Sequence, residues 1–269
     1  MKKFIKKIIP PIILELISKI NNRKIGWFGN YESWEEAKKN STGYDTYEIL
    51  NKVKKSLLKV KKGEAVYERD SVIFDEIQYS WPLLSGLMFA AAKSDGKLNV
   101  IDFGGSLGST YFQNIKFLDG LNFVSWNIVE QKHFVDAGKK DFEDDRLHFY
   151  YDVETCIKEQ KPKILILSGV LQYLEEPYIV LNELLTHNLD FIIIDRTPFN
   201  FQNKDVIKRQ IVPESIYKAV YPCHLFSMQK QKKYFLSKGF KLFNEFDAID
   251  GTMGSFTFKG MIYKRVKDV

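Results

Sequence analysis

One ten-residue stretch decides the fold, and it reads Asn99-Val100-Ile101-Asp102-Phe103-Gly104-Gly105-Ser106-Leu107-Gly108. An apolar run ends in an acidic residue, and a glycine-rich turn follows at once. Apolar runs of this length are typical of buried strands, and glycines directly after a strand indicate a turn that a Cβ would prevent. A helix that starts after such a turn points backbone N–H groups at a ligand. The stretch therefore predicts a strand, a ligand-binding loop and a helix.

The spacing of the glycines separates this loop from a dinucleotide-binding loop. A dinucleotide fingerprint needs G-x-G-x-x-G, whereas this chain has D-x-G-G-x-x-G. That pattern resembles the first motif of class I S-adenosylmethionine-dependent methyltransferases. In that family the loop curls around the methionine end of the cofactor, and the acidic residue faces its ammonium group. The resemblance implies four cofactor-binding residues: Asp102, Gly104, Gly105 and Gly108.

The composition fits one α/β domain with an N-terminal extension. Of 269 residues, 45% are apolar and 14% aromatic, which is enough for a large core without disulfides or metals. The two cysteines, Cys156 and Cys223, lie far apart and favour a reducing cytoplasm. The four histidines form no ligand pair at helical spacing. No metal is therefore expected.

The net charge of +6 is unevenly distributed. Residues 1–95 carry 17 basic and 12 acidic groups, residues 96–199 carry 10 and 16, and residues 200–269 carry 13 and 6. An acidic centre suits a cationic sulfonium cofactor, and basic flanks suit an acidic acceptor or a membrane surface. A lysine-rich solvated surface would explain the flanks equally well.

The first twenty residues combine four lysines with an apolar run that is interrupted by Pro10, Pro11 and Glu15. The run has no cleavage site of a signal peptide and is too short to span a bilayer. It predicts either an amphipathic segment in peripheral contact with a membrane or a helix packed on the domain. The expected organisation is a basic amphipathic segment over 1–30, a helical cap over 31–95 and a catalytic domain over 96–269. Within the cap, helical spacing predicts helices over 31–62 and 68–93, with Pro82 as a kink.

From residue 98 onward, strands alternate with helices, which indicates a mostly parallel sheet. Two last strands without a helix between them should pair antiparallel. The predicted strands cover 98–103, 123–129, 147–151, 164–168, 191–195, 241–246 and 256–263. The fold class is thus α/β: a Rossmann-like class I methyltransferase with a seven-stranded, mostly parallel sheet, an antiparallel C-terminal hairpin and an N-terminal helical cap.

Acidic residues follow the second and third predicted strands. A ribose diol is best held by one carboxylate that accepts from both hydroxyls, and Glu130 is placed for that role. Asp152 is placed to accept from the adenine amine. Ser168 ends the fourth strand and would add to the cofactor site. Solvated loop acids are the alternative explanation for Glu130 and Asp152.

The fourth strand runs into Ser168-Gly169-Val170-Leu171-Gln172-Tyr173-Leu174. This S-x-V-L-x-Y-L pattern resembles small-molecule methyltransferases. Nucleic-acid amino-methyltransferases carry an Asn/Asp-Pro-Pro-aromatic box there, which this chain lacks, so nucleic acid is not the expected partner. Together with Trp81-Pro82, Asp195-Arg196-Thr197-Pro198 and Cys223-His224, the pattern resembles a family of bacterial methyltransferases. Its members are often encoded among surface-polysaccharide biosynthesis genes.

Methyl transfer to a hydroxyl benefits from a general base. His224 is the preferred candidate and Asp195 the alternative, although a satisfied loop histidine is an equally ordinary explanation for His224. Arg196 would pair with an acidic sugar or phosphate, and Gln172 and Tyr173 would also contact substrate. Three aromatic residues are candidates for a wall of the acceptor site or for core positions: Tyr79, Trp81 and Tyr221.

The sequence thus predicts a cytoplasmic O-methyltransferase that acts on a sugar or glycolipid-linked precursor. Two alternatives stay open. One is a nucleotide-binding oxidoreductase, which the glycine spacing disfavours. The other is a non-catalytic module that retains the methyltransferase fold.

Overall fold

A computed structural model of the chain describes residues 25–43, 46–212 and 219–266. The described residues pack as two compact units. Among the described residues, one unit comprises 25–43, 207–212 and 219–223, and the other comprises 46–206 and 224–266. The predicted amphipathic segment over 1–20 lies outside the described residues. In the part of the chain that the structure describes, no helix is long and apolar enough to cross a membrane.

The strands in chain order are β1 (Gly26–Tyr31), β2 (Tyr67–Arg69), β3 (Val72–Phe74), β4 (Lys97–Phe103), β5 (Phe123–Val129), β6 (Leu147–Tyr150), β7 (Ile164–Ser168), β8 (Phe191–Asn200), β9 (Val206–Ile211), β10 (Val220–Ser227), β11 (Phe240–Met253) and β12 (Phe256–Arg265). The helices are α1 (Trp34–Lys39), α2 (Thr46–Lys61), α3 (Trp81–Ala92), α4 (Ser109–Leu118), α5 (Lys132–Asp141), α6 (Val153–Gln160), α7 (Pro177–Leu185) and α8 (Met228–Ser237).

Seven strands of the larger unit form the predicted sheet, in the order β6-β5-β4-β7-β8-β12-β11. The first five are parallel, and β12 runs antiparallel to both β8 and β11. The expected fold class is therefore confirmed. Beyond the seven, the end of β10 pairs in parallel with the end of β8.

The central strands form because they are short runs of branched apolar residues that are buried on both faces, as parallel strands require. One core cluster collects residues from β7, β8 and the C-terminal hairpin. It includes Ile192, Ile194 and Phe199 of β8 on one face of the sheet. Helices α4 to α7 connect the parallel strands in the predicted rhythm.

The predicted helix over 68–93 is wrong in its first half. Residues 67–74 form the hairpin β2–β3, whose two-residue turn, Asp70-Ser71, has φ of +51° and +70°. Positive φ at both central residues is the geometry that matches the twist of a tight hairpin. The helix starts only at Trp81, and Pro82 lies in its first turn, where a missing N–H costs nothing. Pro82 therefore begins the helix and does not kink it. The predicted division at 1–30, 31–95 and 96–269 stays a prediction.

The smaller unit is built on two antiparallel strands. In the pairing of β1 with β9, Gly26 lies opposite Ile211 and Tyr31 opposite Ile207. The Lys208 ammonium group donates to the Gly29 carbonyl at 2.9 Å, which adds a side-chain link between these strands. Neither strand was predicted from the sequence.

Candidate active site

The strand order reverses at the carboxyl end of β4. From β4 the chain builds β5 and β6 on one side, and it then returns to place β7 and β8 on the other. In open α/β sheets, ligands bind in the crevice outside the carboxyl ends of the strands at such a reversal. Because β4 ends at Phe103 and β7 at Ser168, the loops after these two strands border the candidate site.

The loop after β4 has a backbone that favours glycine. The φ angle is +73° at Gly104 and +98° at Gly108. The Gly104 N–H donates to the Val129 carbonyl at 2.9 Å, which ties the loop to the end of β5. A Cβ at Gly104 would also overlap the side chain of Val170, in the loop after β7. The predicted glycine-rich turn is therefore present, and α4 starts directly after Gly108.

Gly105 lies against the carboxyl group of Asp102. A Cβ at Gly105 would stand 2.5 Å from Asp102 Cγ, so a side chain there would displace the carboxyl group or the loop. Asp102 is 1% exposed. Its Oδ2 accepts a hydrogen bond from Trp126 Nε1 at 3.0 Å. Its Oδ1 is buried and has no hydrogen-bond partner among the described residues.

The Asp102 carboxyl group is thus an under-satisfied acceptor in a desolvated place. Desolvation raises the pKa of Asp102 to about 7, the Trp126 hydrogen bond opposes the shift, and the charge of Glu130 adds to it. Buried acceptors without partners are uncommon and costly, so a ligand with N–H groups or positive charge fits here. Sequence reasoning missed Trp126, because an indole inside an apolar strand is typical of a core position.

Glu130 follows β5 and contacts the same loop. Its carboxylate accepts hydrogen bonds from the backbone N–H of Gln131 at 2.7 Å and from that of Ser106. Burial raises the pKa of Glu130, and the two hydrogen bonds oppose that shift. The structure therefore brings Asp102 and Glu130 to one glycine-rich loop.

Asp152 follows β6, but its carboxylate begins helix α6. Oδ1 accepts from the Thr155 N–H at 2.7 Å, and Oδ2 accepts from Thr155 Oγ1 at 3.0 Å. These hydrogen bonds lower the pKa of Asp152, and its side chain is exposed. N-capping by itself accounts for an aspartate at this position. A contact of Asp152 with a cofactor stays a prediction.

The chain makes a sharp turn after β7. Ser168 is the last residue of β7 paired with β8, and it lies opposite Asp195. Gly169 has a φ of +66°, and its N–H donates to the Asp195 carbonyl at 3.0 Å. Ser168 thus lies at the reversal point, beside the strand that bears both Asp195 and Arg196.

A short 3-10 helix, Leu171–Tyr173, completes this wall. The Gln172 side chain is buried, and its Nε2 donates to the Arg196 carbonyl at 3.3 Å. Its Oε1 has no partner among the described residues, so Gln172 offers a second unused acceptor. Tyr173 is partly exposed.

Strand β8 contains a β-bulge where its pairing with β7 ends. Asp195 and Arg196 together stand opposite the single residue Gly260 of β12. Arg196 has left-handed backbone, with a φ of +50°. Bulges of this kind re-aim side chains and are frequent beside active sites. Nothing in the local sequence distinguishes this bulge from a continuous strand.

The bulge places the Asp195 carboxyl group in a buried, well-held position. It is 1% exposed, and Oδ1 accepts from the Arg196 N–H at 2.8 Å. Ser80, the residue before α3, provides a second hydrogen bond. Desolvation raises the pKa of Asp195 to about 6, against these two hydrogen bonds. Asp195 is therefore a carboxyl group that is mostly ionised at pH 7 and takes up a proton just below that pH.

The Arg196 guanidinium group is bound by two carboxylates. Nε and Nη2 contact Asp250 at 3.0 and 3.1 Å, and Nη2 contacts Asp70 at 2.6 Å. Desolvation lowers the pKa of Arg196, but the two carboxylates outweigh it and hold the pKa above its ordinary value. The predicted partner of Arg196, an acidic group of the substrate, is thus replaced in this structure by two residues of the chain.

His224 is held by the loop after the 3-10 helix. Its ring is buried, stacks on Phe226 at 5.6 Å between centroids, and has Nε2 3.2 Å from the Glu175 carbonyl oxygen. A carbonyl oxygen only accepts, so Nε2 carries the proton in this contact. Burial lowers the pKa of His224, so the ring is neutral at pH 7. These contacts tie His224 into the structure, and its predicted role as a base stays untested.

Two of the three predicted wall aromatics are neighbours. Tyr79 and Trp81 have ring centroids 4.7 Å apart, and Phe117 of α4 meets both rings edge-on. Trp81 is well exposed, so this group is a surface cluster and not a core. Tyr221 belongs to the smaller unit.

Comparison with known proteins gives similarity in structure only. No protein-family model matches the chain, and no curated protein matches it in sequence. The crystal structure of the N-terminal domain of EvdMO1 in the presence of SAH and D-fucose is 13% identical. The match covers 83% of this chain and 98% of the EvdMO1 domain, with a TM-score of 0.50.

Two further structures have lower TM-scores. One is the glycopeptide N-methyltransferase MtfA complexed with sinefungin, with 10% identity, 68% and 94% coverage, and a TM-score of 0.48. The other is an S-adenosylmethionine-dependent methyltransferase from Clostridium acetobutylicum ATCC 824, with 9% identity, 71% and 94% coverage, and a TM-score of 0.45. Identities this low concern the fold alone: the chain has the Rossmann-like fold of class I methyltransferases.

Proposed function

We propose that this protein is an S-adenosylmethionine-dependent methyltransferase that methylates a hydroxyl group of a sugar or a glycolipid-linked precursor, in surface-polysaccharide biosynthesis. The observation that carries the first part is the unpartnered Oδ1 of Asp102, buried beside Gly105 at the strand reversal. The D-fucose named with the EvdMO1 domain supports a sugar acceptor.

The residues around the loop fit this cofactor. Asp102 and the backbone of residues 104–108 would hold its methionine end, with the cofactor ammonium as the missing partner of Oδ1. Glu130 would accept from the ribose hydroxyls, and Asp152 from the adenine amine. Ser168 would border the methionine end. When bound, the cofactor supplies an electrophilic methyl group, so the protein mainly orients the reactants and excludes water.

On the acceptor side, Asp195 is favoured over His224 as the general base. Asp195 has a pKa near 6 and is therefore ionised at pH 7, whereas Nε2 of His224 is committed to the Glu175 carbonyl. Gln172 Oε1 would accept a second hydrogen bond from the acceptor. Asp195 would accept from the reacting hydroxyl and Gln172 Oε1 from a neighbouring hydroxyl, which together would align the reacting oxygen with the methyl group.

The proposed location is the cytoplasm. Both cysteines are free and buried, which is typical of a reducing compartment. Peripheral membrane contact through residues 1–20 would bring the enzyme to a lipid-linked acceptor, and a vesicle-sedimentation assay with and without these residues would test it.

Calorimetric titration of the full chain with S-adenosylmethionine and with NADH tests the cofactor. We expect saturable binding of S-adenosylmethionine only. Glu130→Gln should weaken this binding by about 10-fold or more, because charge-assisted hydrogen bonds contribute about 1.5–3 kcal/mol each. Glu154→Gln, an exposed charge-matched control in α6, should leave it unchanged. Binding of NADH instead would reject the proposal.

Transfer of a labelled methyl group to a panel of nucleotide sugars and lipid-linked oligosaccharides tests the activity. Methylation of a sugar hydroxyl is the expected result. Tight cofactor binding without transfer to any member of the panel would favour the non-catalytic alternative or a different acceptor class.

A further inference from the structure

The hairpin β2–β3 reaches across two parts of the candidate site. Glu68, in β2, is buried and accepts from Ser109 Oγ at 2.5 Å, at the start of the helix that follows the glycine-rich loop. Asp70, two residues further, binds Arg196 in the bulge of β8. The hairpin therefore links the start of α4 to the bulge of β8.

The two carboxylates on Arg196 differ in how firmly they are held. The Asp250 side chain is 18% exposed and contacts Nε and Nη2 together. The Asp70 side chain is 51% exposed and lies on a two-residue turn. An exposed ion pair contributes little to stability, so an anion from solution can compete with Asp70 far more readily than with Asp250.

The outward side of the guanidinium group has the geometry that planar anions use. Both terminal nitrogens face Asp70, with Nη2 at 2.6 Å from Oδ2 and Nη1 at 3.4 Å from Oδ1. This paired arrangement is how arginine recognises carboxylates and phosphates. Asp195 precedes Arg196, accepts from its N–H, and has its pKa lowered by the Arg196 charge, so an anion bound here would lie beside the proposed base.

We propose that Arg196, backed by Asp250, binds an anionic group, carboxylate or phosphate, of the methyl acceptor, and that Asp70 occupies this place when no acceptor is bound. This inference rests on the proposed function, since it assigns the acceptor's chemical class. The exchange leaves the guanidinium group with two anionic partners: Asp70 moves away from it, and the anion of the acceptor takes the place of Asp70.

Titration of the full chain with inorganic phosphate and, separately, with glucuronate tests the exchange, with heat or phosphorus NMR as the readout. We expect saturable binding of at least one anion. Asp70→Asn should tighten it by about two- to fivefold, because it removes a competitor held by an exposed ion pair. Arg196→Lys, which keeps the charge and loses the paired geometry, should weaken it by a similar factor or more.

Asp119→Asn is the matched control, because Asp119 is another exposed aspartate paired with an arginine, Arg146, at 2.7 Å. It changes the net charge as Asp70→Asn does and should leave anion binding unchanged. Equal gains in Asp70→Asn and Asp119→Asn would overturn the proposal, as would unchanged binding in Arg196→Lys. No saturable binding of either anion to Asp70→Asn would overturn it as well.

The same samples are titrated with S-adenosylhomocysteine, which separates the two proposals. If the wild-type chain does not bind S-adenosylhomocysteine, the proposed function is rejected. Normal S-adenosylhomocysteine binding without the anion effects would reject only the anionic acceptor. Binding of S-adenosylhomocysteine by each variant also shows that it is folded. If phosphate binds and glucuronate does not, the acceptor carries a phosphate, and the reverse result assigns a carboxylate.

Discussion

Two buried aspartates at the same edge of the sheet have opposite surroundings. Asp102, near the end of β4, and Asp195 on β8 are each 1% exposed, and desolvation raises the pKa of each, to about 7 and about 6. Asp102 is followed by glycines and keeps one oxygen without a partner among the described residues. Asp195 is followed by Arg196 and is held by donors of the chain itself.

The difference indicates what each region is built for. The Asp102 region lacks a positive partner, so it is preorganised for a cationic ligand that supplies one. The Asp195 region is already a closed network of charges, in which a proton can be taken up and an anion exchanged. In both regions, burial of the carboxyl group costs free energy in the unliganded protein. A ligand of complementary charge or hydrogen bonding offsets that cost when it binds.

Asp195→Asn should have the largest effect and breaks the comparison on the acceptor side. Loss of a positioned base typically costs about 10²–10⁴ in turnover, whereas cofactor affinity should stay within about twofold. A base must be deprotonated, so wild-type turnover should fall below pH 6, with the pKa of Asp195. Methyl transfer to the acceptor identified by the panel measures both. Asp247→Asn, an exposed aspartate, is the control, and equal turnover in both variants would exclude Asp195 as the base.

Gly105→Ala should break the comparison on the cofactor side. The new Cβ would lie 2.5 Å from Asp102 Cγ, and overpacking of this kind typically costs about 1–3 kcal/mol. We expect S-adenosylmethionine affinity to fall by about 10- to 100-fold, measured by calorimetry. Gly120→Ala is the control, because its Cβ would meet only a carbonyl oxygen at 3.7 Å. Normal affinity of Gly105→Ala would mean that Asp102 does not face the ligand.

Asp102→Asn should change how the stability of the free protein depends on pH. A carboxyl group with a raised pKa binds more protons in the folded state, so its contribution to stability is lost as pH rises from about 4 to about 7. An amide mimics the protonated form and does not ionise. The variant should therefore melt higher than wild type at pH 8, by at least about 2 °C, and the difference should vanish at pH 4, where both forms are protonated. Thermal unfolding at the two pH values measures this, and equal melting at pH 8 would contradict the raised pKa.

Asp152→Asn should have the smallest effect. Asparagine caps a helix about as well as aspartate and keeps an oxygen acceptor. We expect the melting temperature to be unchanged and S-adenosylmethionine affinity to change by less than about threefold, within the range of one weak contact. Asp152→Ala removes the cap and should cost about 1 kcal/mol of unfolding free energy. A tenfold loss of affinity in Asp152→Asn would show that its charge is needed for cofactor binding.

The cofactor side was largely predictable because its signals are local. An apolar run, an acid and spaced glycines within ten residues determine the loop around Asp102, and β5 and β7 have the predicted bounds. Trp126 was missed because the direction of its N–H depends on packing between two strands.

The acceptor side was not predictable because its contacts are distant in sequence. Asp70 and Arg196 are 126 positions apart, and Arg196 and Asp250 are 54 apart. The short sequence windows of about 11–18 residues that show helical or strand periodicity cannot contain residues so far apart. The bulge that brings them together needs one extra residue relative to β12, which appears only once the register of the two strands is known.

That extra residue also shifts the alternation of side chains along β8. Side chains alternate between the two faces of a strand, yet Ile192, Ile194 and Phe199 share one core cluster, although an odd number of positions separates Ile194 from Phe199. The side chains of β8 therefore follow two alternation patterns, one before and one after the bulge, which meet at Asp195 and Arg196. Substitution of either residue changes the chemistry of the site and leaves both patterns intact. Deletion of one residue there would merge the two alternation patterns and turn Phe199 to the opposite face of the sheet. The packing of β8 therefore depends on the number of residues in this strand.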